Sequence, residues 1–305
     1  MITLTLDDIP NILMYSTPLI LGAMGGVISE RCGVVNIGID GMMCMGAFTA
    51  ATAGYFLANP WLGLLFGGLA GGLIALLHAI ACVTFNADQT ISGTALNLIG
   101  PGLALFISRL VFAGSTQTLT VSRKMPKIFS QEVSGIFRQI NIDVTSLIAL
   151  IIVILFWFVL YKTKWGLRIR AVGEHPAAAE TLGINVRVLR YACVIMSGFF
   201  AGIGGGCVTL STVSCFSPTS ISGQGFIALA AVIFGKWMPH RACGACLLFG
   251  FAQILTVKLS GEKSLIPSQI IAMLPYVLTI LILILFVGKS VAPKASGKPY
   301  NKNIC

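Results

Sequence analysis

Long runs of apolar residues, separated by short polar segments, extend along almost the whole chain. A helix needs about 20 apolar residues to cross the roughly 30 Å hydrocarbon core of a bilayer. Most of the runs approach this length, so each predicts a membrane-spanning helix. The runs cover residues 10–28, 34–58, 61–83, 91–112, 144–161, 191–210, 226–234, 243–257 and 270–287. The shortest, 226–234, predicts either a short span or a re-entrant helix.

The composition supports the same interpretation. Apolar residues make up 56% of the 305 residues and charged residues only 10%, whereas soluble proteins carry about 25% charged residues. So few charged side chains cannot cover a soluble surface, and the surface is therefore predicted to face lipid. We predict an all-α integral membrane protein, a polytopic bundle of roughly eight to ten spans with Gly-interrupted helices. A single domain would occupy residues 1–305.

The basic residues predict the orientation in the membrane. The net charge is +10, and the bases lie in short loops and at the C-terminus without interleaved aromatic residues. This distribution indicates membrane topology rather than nucleic-acid binding. Placing the loop 162–190 in the cytoplasm assigns thirteen Lys and Arg residues to the cytoplasmic side and six to the other side. The basic tail 288–305 would then be cytoplasmic, and nine spans would put the N-terminus outside.

Glycines recur at four-residue spacing in two of the runs. Gly63, Gly67 and Gly71 form one stripe, and Gly198, Gly202 and Gly206 form the other; these stripes predict close packing between helices.

Two polar, Gly-containing segments, 35–41 and 211–225, interrupt the apolar pattern. Irregular backbone at membrane depth is tolerated only against protein or a water-filled cavity. Paired interruptions in the two halves of a transporter point to the translocation path. The candidate residues for that path are Asn36, Asp40, Asn97 and Gln224.

Asp40 is the carboxylate that falls well inside an apolar run. A charge there costs on the order of 3 kcal/mol, so Asp40 needs a partner or water, and Arg109 is a possible partner. For Asn97, an interhelical hydrogen bond and a substrate contact are equally open.

The loop 166–184 contains a predicted helix at 176–182. Pro176 suits the first turn, the following alanines favour helix, and Gly183 suits a left-handed C-terminal stop. A helix of about two turns is marginal by itself in water. It is therefore expected to pack on another protein in the cytoplasm.

Three segments carry a resemblance to a known family. GLRIRAVGEHPAAAETLGI (166–184) resembles the coupling loop of ABC importer permeases of the simple sugar and nucleoside branch. Residues 25–48 resemble the N-terminal signature of that family and residues 225–239 its C-terminal one. The similarity extends over about 22–251, and the shorter nucleoside-type permease subunit is the most similar type.

The resemblance implies a function and a set of partners. It implies an importer for nucleosides, with purine nucleosides favoured and simple sugars as the alternative, in the bacterial cytoplasmic (inner) membrane. The partners would be a second, longer permease, an ABC ATPase and an extracytoplasmic substrate-binding protein. ATP would bind to the partner ATPases, and this chain would hold no cofactor. Coupling to the ATPase would involve Gly173, Pro176, Ala178, Ala179 and Gly183.

Two positions depart from the family pattern. Asp40 stands where Glu is expected, which keeps the charge. His175 stands where Asn is expected, and His is a poorer N-cap than Asn. The start of the coupling helix is therefore expected to be less well fixed.

Two other functions remain as alternatives. An ion-coupled secondary transporter would use Asp40 as its coupling site. A membrane-embedded enzyme is disfavoured, because the three His residues are scattered and the Cys243–Cys246 pair lacks the further ligands of a metal site. Gly288, Lys289 and Ser290 imitate the end of an ATP-binding P-loop, but Leu283 stands where that motif requires Gly.

Overall fold

The computed structural model describes residues 8–129, 141–260, 267, 270–271, 273–286 and 291–300, and these residues contain helices and no β-strand. The helices are α1 (Asp8–Arg31), α2 (Ile39–Phe56), α3 (Pro60–Ala79), α4 (Gln89–Val111), α5 (Val144–Lys162), α6 (Lys164–Glu174), α7 (Pro176–Thr181), α8 (Val186–Cys207), α9 (Gln224–Phe234), α10 (Pro239–Leu259) and α11 (Leu274–Phe286). A π-helical segment, Ile80–Thr84, extends α3, and a second one, Val208–Val213, extends α8. The P-loop-like residues 288–290 lie outside the described part of the chain.

The predicted all-α polytopic membrane fold is confirmed. Six helices of the described chain are long and apolar enough to cross a bilayer: α1, α3 and α8 with their π-helical extensions, α4, α5 and α10. The other three predicted runs form shorter or more polar helices. These are α2 with 18 residues, α9 with 11 and α11 with 13.

The core is formed by α1, α2 and α3, which pack around α8 with glycines at the contacts. A Cβ added at Gly202 of α8 would lie 2.3 Å from the carbonyl oxygen of Gly67 in α3, and one added at Gly71 would lie 2.3 Å from that of Gly198. A Cβ at Gly46 of α2 would lie 2.4 Å from Gly202 Cα. The predicted close packing of the glycine stripes is therefore confirmed.

The outer helices leave large apolar side chains uncovered. On α4 the exposed residues include Ile91, Leu98, Phe106 and Leu110, and α5 exposes Ile154. Contiguous apolar surface of this kind faces lipid or another membrane subunit.

Helix α2 begins inside the bundle, not at its surface. A Cβ added at Gly26 of α1 would lie 3.3 Å from Ile39 Cδ1, and one added at Gly22 would lie 3.6 Å from Ile39 Cγ2. These positions precede the last residue of α1, Arg31, by five and nine residues, or roughly 8 and 13 Å at 1.5 Å per residue. The segment 32–38 therefore turns back into the bundle before α2 starts.

The loop 162–190 contains two helices. Helix α7 occupies the predicted position, with Pro176 as its first residue. Gly183 has φ +80°, and the N–H of Ile184 donates to the Ala179 carbonyl, so the predicted left-handed stop is confirmed. Helix α6 (Lys164–Glu174) was not predicted. Residues 291–300 of the tail lie against the loop 162–190, since the Ala295 N–H donates to the Gly173 carbonyl at 2.9 Å.

Candidate functional site

The N-termini of α2 and α9 meet inside the bundle. Asp40 lies in the first turn of α2, and its Oδ1 accepts a hydrogen bond from the Gly225 backbone N–H of α9 at 2.9 Å. A Cβ at position 225 would lie 2.4 Å from both N and Cα of Asp40, so this approach requires glycine. The carboxylate of Asp40 therefore joins two helices that are 185 residues apart in the chain.

The electrostatics of this junction follow from the helix ends. The N-terminus of a helix carries a partial positive charge and unpaired N–H groups. Two such ends that meet inside the bundle stabilise a carboxylate between them, which explains how Asp40 is tolerated there. Asp40 as a whole residue is only partly buried.

Asn97 of α4 holds the start of α2. Its Oδ1 accepts from the Gly41 N–H at 2.9 Å, and its Nδ2 donates to the Ile37 carbonyl at 2.9 Å. Asn97 thus makes the interhelical contact that was one of its two expected roles. It is partly buried and stands beside Asp40.

Asn36 lies behind the junction. It is fully buried, and its Nδ2 donates to Ser197 Oγ of α8 at 2.9 Å and contacts Met42 Sδ at 3.4 Å. Its Oδ1 has no hydrogen-bond partner. Asn36 therefore ties the segment 32–38 to α8.

Two further side chains satisfy the irregular backbone at Val35. The Val35 N–H donates to Gln89 Oε1 at 2.7 Å, and the Val35 carbonyl accepts from His78 Nε2 at 3.0 Å. Backbone groups inside a membrane protein must be paired in this way. Neither Gln89 nor His78 was predicted from the sequence. Each is far from residue 35 in the chain, and no local sequence pattern indicates that they meet.

Arg109 is not the partner of Asp40. It is exposed in the last turn of α4, twelve residues after Asn97, which is about 18 Å along the helix. Within the described residues the ion pair is Lys258 with Asp8, at 2.6 Å. The Asp40 carboxylate instead accepts the hydrogen bond from the Gly225 N–H, and it forms no ion pair with a cation of the described residues.

Two further polar side chains, those of Gln224 and Tyr276, lie near the junction of α2 and α9. Gln224 is the first residue of α9, directly before Gly225, and is partly buried. The Tyr276 hydroxyl of α11 donates to the Ser222 carbonyl at 2.8 Å, and Tyr276 is 45% exposed. The sequence did not single out Tyr276, which lies within an apolar run.

The coupling-loop residues have different environments. Gly173 packs on the end of α1, since a Cβ there would lie 2.1 Å from the Arg31 carbonyl oxygen. Ala178 is exposed, whereas Ala179 is buried. Leu182, directly after α7, is 81% exposed. His175 precedes Pro176 and makes no side-chain cap hydrogen bond, as expected for a poor N-cap.

The chain is similar to known permease subunits. Residues 9–287 match the family model described as branched-chain amino acid transport system / permease component. The guanosine ABC transporter permease protein NupQ of Bacillus subtilis is 47% identical, over 96% of each chain. The nucleoside ABC transporter permease protein NupC of Lactococcus lactis is 44% identical, over 97% of this chain and 96% of the relative. The putative glucose ABC transporter permease protein TsgC13 of Haloferax volcanii is 32% identical, over 95% of each.

Proposed function

Since this chain belongs to the family of permease components of branched-chain amino acid transport systems and is an ABC permease subunit, we propose that its substrates are nucleosides and that purine nucleosides are favoured. The supporting observation is the near full-length identity of 47% and 44% to a guanosine and a nucleoside permease, against 32% to a putative glucose permease. Simple sugars are therefore the second candidate class.

We place the translocation path at the junction of α2 and α9. Asp40, Asn97 and Gln224 would line it, with Asn36 supporting the junction from behind. Each Asp40 oxygen has two acceptor positions, and Gly225 uses one of them. The remaining positions can accept hydrogen bonds from ribose hydroxyls or from the N–H groups of a base. The discontinuous helices at this point have the arrangement that transporters use to bind substrates within the membrane.

Helix α7 would transmit the motion of the partner ATPase. Its outer side presents Ala178, and Leu182 follows with 81% of its surface exposed. A large apolar side chain so exposed in a polar loop is suited to a cleft on another protein. ATP would be bound and hydrolysed by that ATPase, and closure of its two copies would pull on α7.

The remaining partners and the localisation follow from the family and the charges. A second, longer permease would cover one exposed apolar side of the bundle, and an extracytoplasmic binding protein would deliver the nucleoside. The excess of Lys and Arg in the loop 162–190 and the tail supports a cytoplasmic location for both in the bacterial inner membrane. The contact between Ala295 of the tail and Gly173 of the loop is consistent with both segments lying on the same side of the membrane.

Uptake by the complete complex tests the proposed function. The tagged chain is purified in mild detergent with its co-purifying subunits, reconstituted into liposomes with the binding protein, and supplied with ATP on the cytoplasmic side. We expect uptake of radiolabelled guanosine that requires ATP hydrolysis, is competed by adenosine and is unaffected by glucose. ATP-dependent glucose uptake without guanosine uptake would contradict nucleosides as the substrate class and favour simple sugars. Uptake that an ionophore abolishes while ATP is constant would instead favour the secondary transporter.

Leu182→Glu is expected to uncouple the complex. A carboxylate at this exposed position cannot enter an apolar cleft without the cost of burying an unpaired charge, so ATP-driven uptake should fall at least about tenfold, equal to about 1.4 kcal/mol. Membrane insertion and folded yield should not change, because Leu182 is already exposed. Val291→Glu, at a tail residue 79% exposed, is the matched control and should transport normally. Normal uptake by the Leu182 variant would contradict docking through this residue.

A further inference from the structure

A cavity of about 350 Å³ separates the coupling loop from the C-terminal tail. Glu174, His175 and Pro176 line it from the loop, Arg190 from α8, and Lys294 and Lys298 from the tail. It lies apart from the junction of α2 and α9, and the proposed transport of nucleosides assigns no role to it.

Arg190 forms the buried wall of this cavity. Only 2% of its surface is exposed. Its Nη1 donates to the Lys298 carbonyl at 3.4 Å, a long hydrogen bond, and its guanidinium lies 5.8 Å from the centre of the Tyr300 ring. Its Nε and Nη2 have no hydrogen-bond partner. A buried guanidinium with two unused donor nitrogens is unfavourable unless something else binds them.

The charges around the cavity have one predominant sign. Lys294 and Lys298 are exposed at its rim and add two positive charges to that of Arg190. Glu174 is the one acidic side chain among the lining residues; it is exposed, and within the described residues it forms no ion pair with Arg190. The nearby Glu180 accepts a hydrogen bond from the Tyr300 hydroxyl. The described lining residues therefore carry three positive charges against one negative charge.

We propose that this cavity binds a phosphate-type oxyanion. The planar guanidinium of an arginine matches two oxygens of a phosphate group, and lysines add charge without strict geometry. Two sources offer this chemistry at the end of a membrane helix: a soluble phosphate compound in the cytoplasm, and the phosphate of an anionic lipid headgroup. The proposal does not depend on which solute crosses the membrane.

The position of the cavity gives the anion a structural consequence. The tail touches the coupling loop at two points, through Ala295 and Gly173 and through Tyr300 and Glu180. An anion held by Arg190 from α8 and by two tail lysines would connect these same two segments. Its binding should therefore stabilise the folded complex, by an amount that rises with the logarithm of the anion concentration above the dissociation constant.

The test measures anion binding in two membranes. The complete complex is reconstituted in nanodiscs of phosphatidylcholine, and binding of radiolabelled pyrophosphate is measured by equilibrium dialysis. In the second arm, the complex is taken from membranes that contain phosphatidylglycerol, and native mass spectrometry counts the anionic lipids that it retains. Lys294→Gln with Lys298→Gln removes the rim charges, and Arg190→Gln removes the buried one. Lys162→Gln with Lys164→Gln is the matched control, because both residues are exposed in the same basic loop.

We expect saturable binding in at least one arm, weakened at least about tenfold by the Lys294/Lys298 pair and unchanged in the control pair. The partner ATPases of the complex also bind phosphate groups, so only pyrophosphate binding that the Lys294/Lys298 pair weakens would identify a soluble source. Retained phosphatidylglycerol that the same pair reduces, without such pyrophosphate binding, would identify the lipid headgroup. Absence of binding in both arms would overturn the proposal, as would equal binding by the rim pair and the control. The rim variants change exposed residues, so the test stands even if Arg190→Gln fails to fold.

Discussion

Asp40→Ala is expected to reduce ATP-driven nucleoside uptake at least about tenfold while the complex still assembles. The substitution removes the oxygen that accepts the Gly225 N–H and leaves that N–H without its partner, at a cost of roughly 1–3 kcal/mol. It also removes the charged acceptor that we place on the path. Since 1.4 kcal/mol corresponds to a factor of ten, either loss alone is large enough to measure.

Asp40→Asn separates these two contributions. The asparagine keeps an oxygen for the Gly225 N–H but removes the charge, so the contact between α2 and α9 should survive. If the charge binds substrate, uptake by the Asn variant should fall nearly as far as that of the Ala variant. If Asp40 only joins the helices, the Asn variant should transport almost normally.

The measurement is the initial rate of guanosine uptake, divided by the amount of folded complex in the membrane. Asp88→Asn is the matched control, because Asp88 is exposed and caps α4 through the N–H groups of Thr90 and Ile91. Asn is an equally good N-cap, and uptake by this variant should not change. Normal uptake by both Asp40 variants would exclude Asp40 from the path and leave it a packing residue.

Gly202→Ala is expected to have the largest effect on folding. Its Cβ would lie 2.3 Å from the Gly67 carbonyl oxygen and 3.0 Å from Gly71 Cα. These are backbone atoms, which cannot rotate away as a side chain can, so α3 and α8 must separate. Such overpacking costs about 1–3 kcal/mol or more, and we expect the upper end because α2 also contacts this glycine.

The measurement is the yield of monodisperse protein and its melting temperature in detergent. Gly102→Ala is the matched control, because Gly102 lies in the interior of α4 and a Cβ there meets nothing within 4 Å. Alanine favours helix over glycine by about 0.5–1 kcal/mol, so the control should be as stable as the original or slightly more stable. Equal stability of the two variants would mean that α3 and α8 are not held together at these glycines.

Several features were predictable because they depend only on neighbouring residues. Apolar runs of bilayer length predicted the spanning helices, and glycines at four-residue spacing predicted close packing between helices, although not which helices would meet. Pro176 and Gly183 predicted both ends of α7 within one residue. The loop motif 166–184 together with the two signature segments identified the permease family, and the near full-length similarity to known permeases confirms it.

Other features required the tertiary structure. The sequence indicated that Asp40 needs a partner but suggested Arg109, since a cation is the obvious choice. The partner is instead a backbone N–H of Gly225, a group that every residue except proline carries and that no residue type reveals. Likewise Ala178 and Ala179 are identical in type and adjacent, yet one is exposed and the other buried.

The sequence alone therefore determined that this chain crosses the membrane, which family it belongs to, and which short segments interrupt its helices. Only the tertiary structure decided what those segments contact. It placed His78, Gln89 and Asn97 on the backbone of residues 35–41, and it brought Arg190 beside the tail. The physical reason is that hydropathy and helix signals act over a few residues. Hydrogen bonds between segments far apart in the chain depend on how the helices pack.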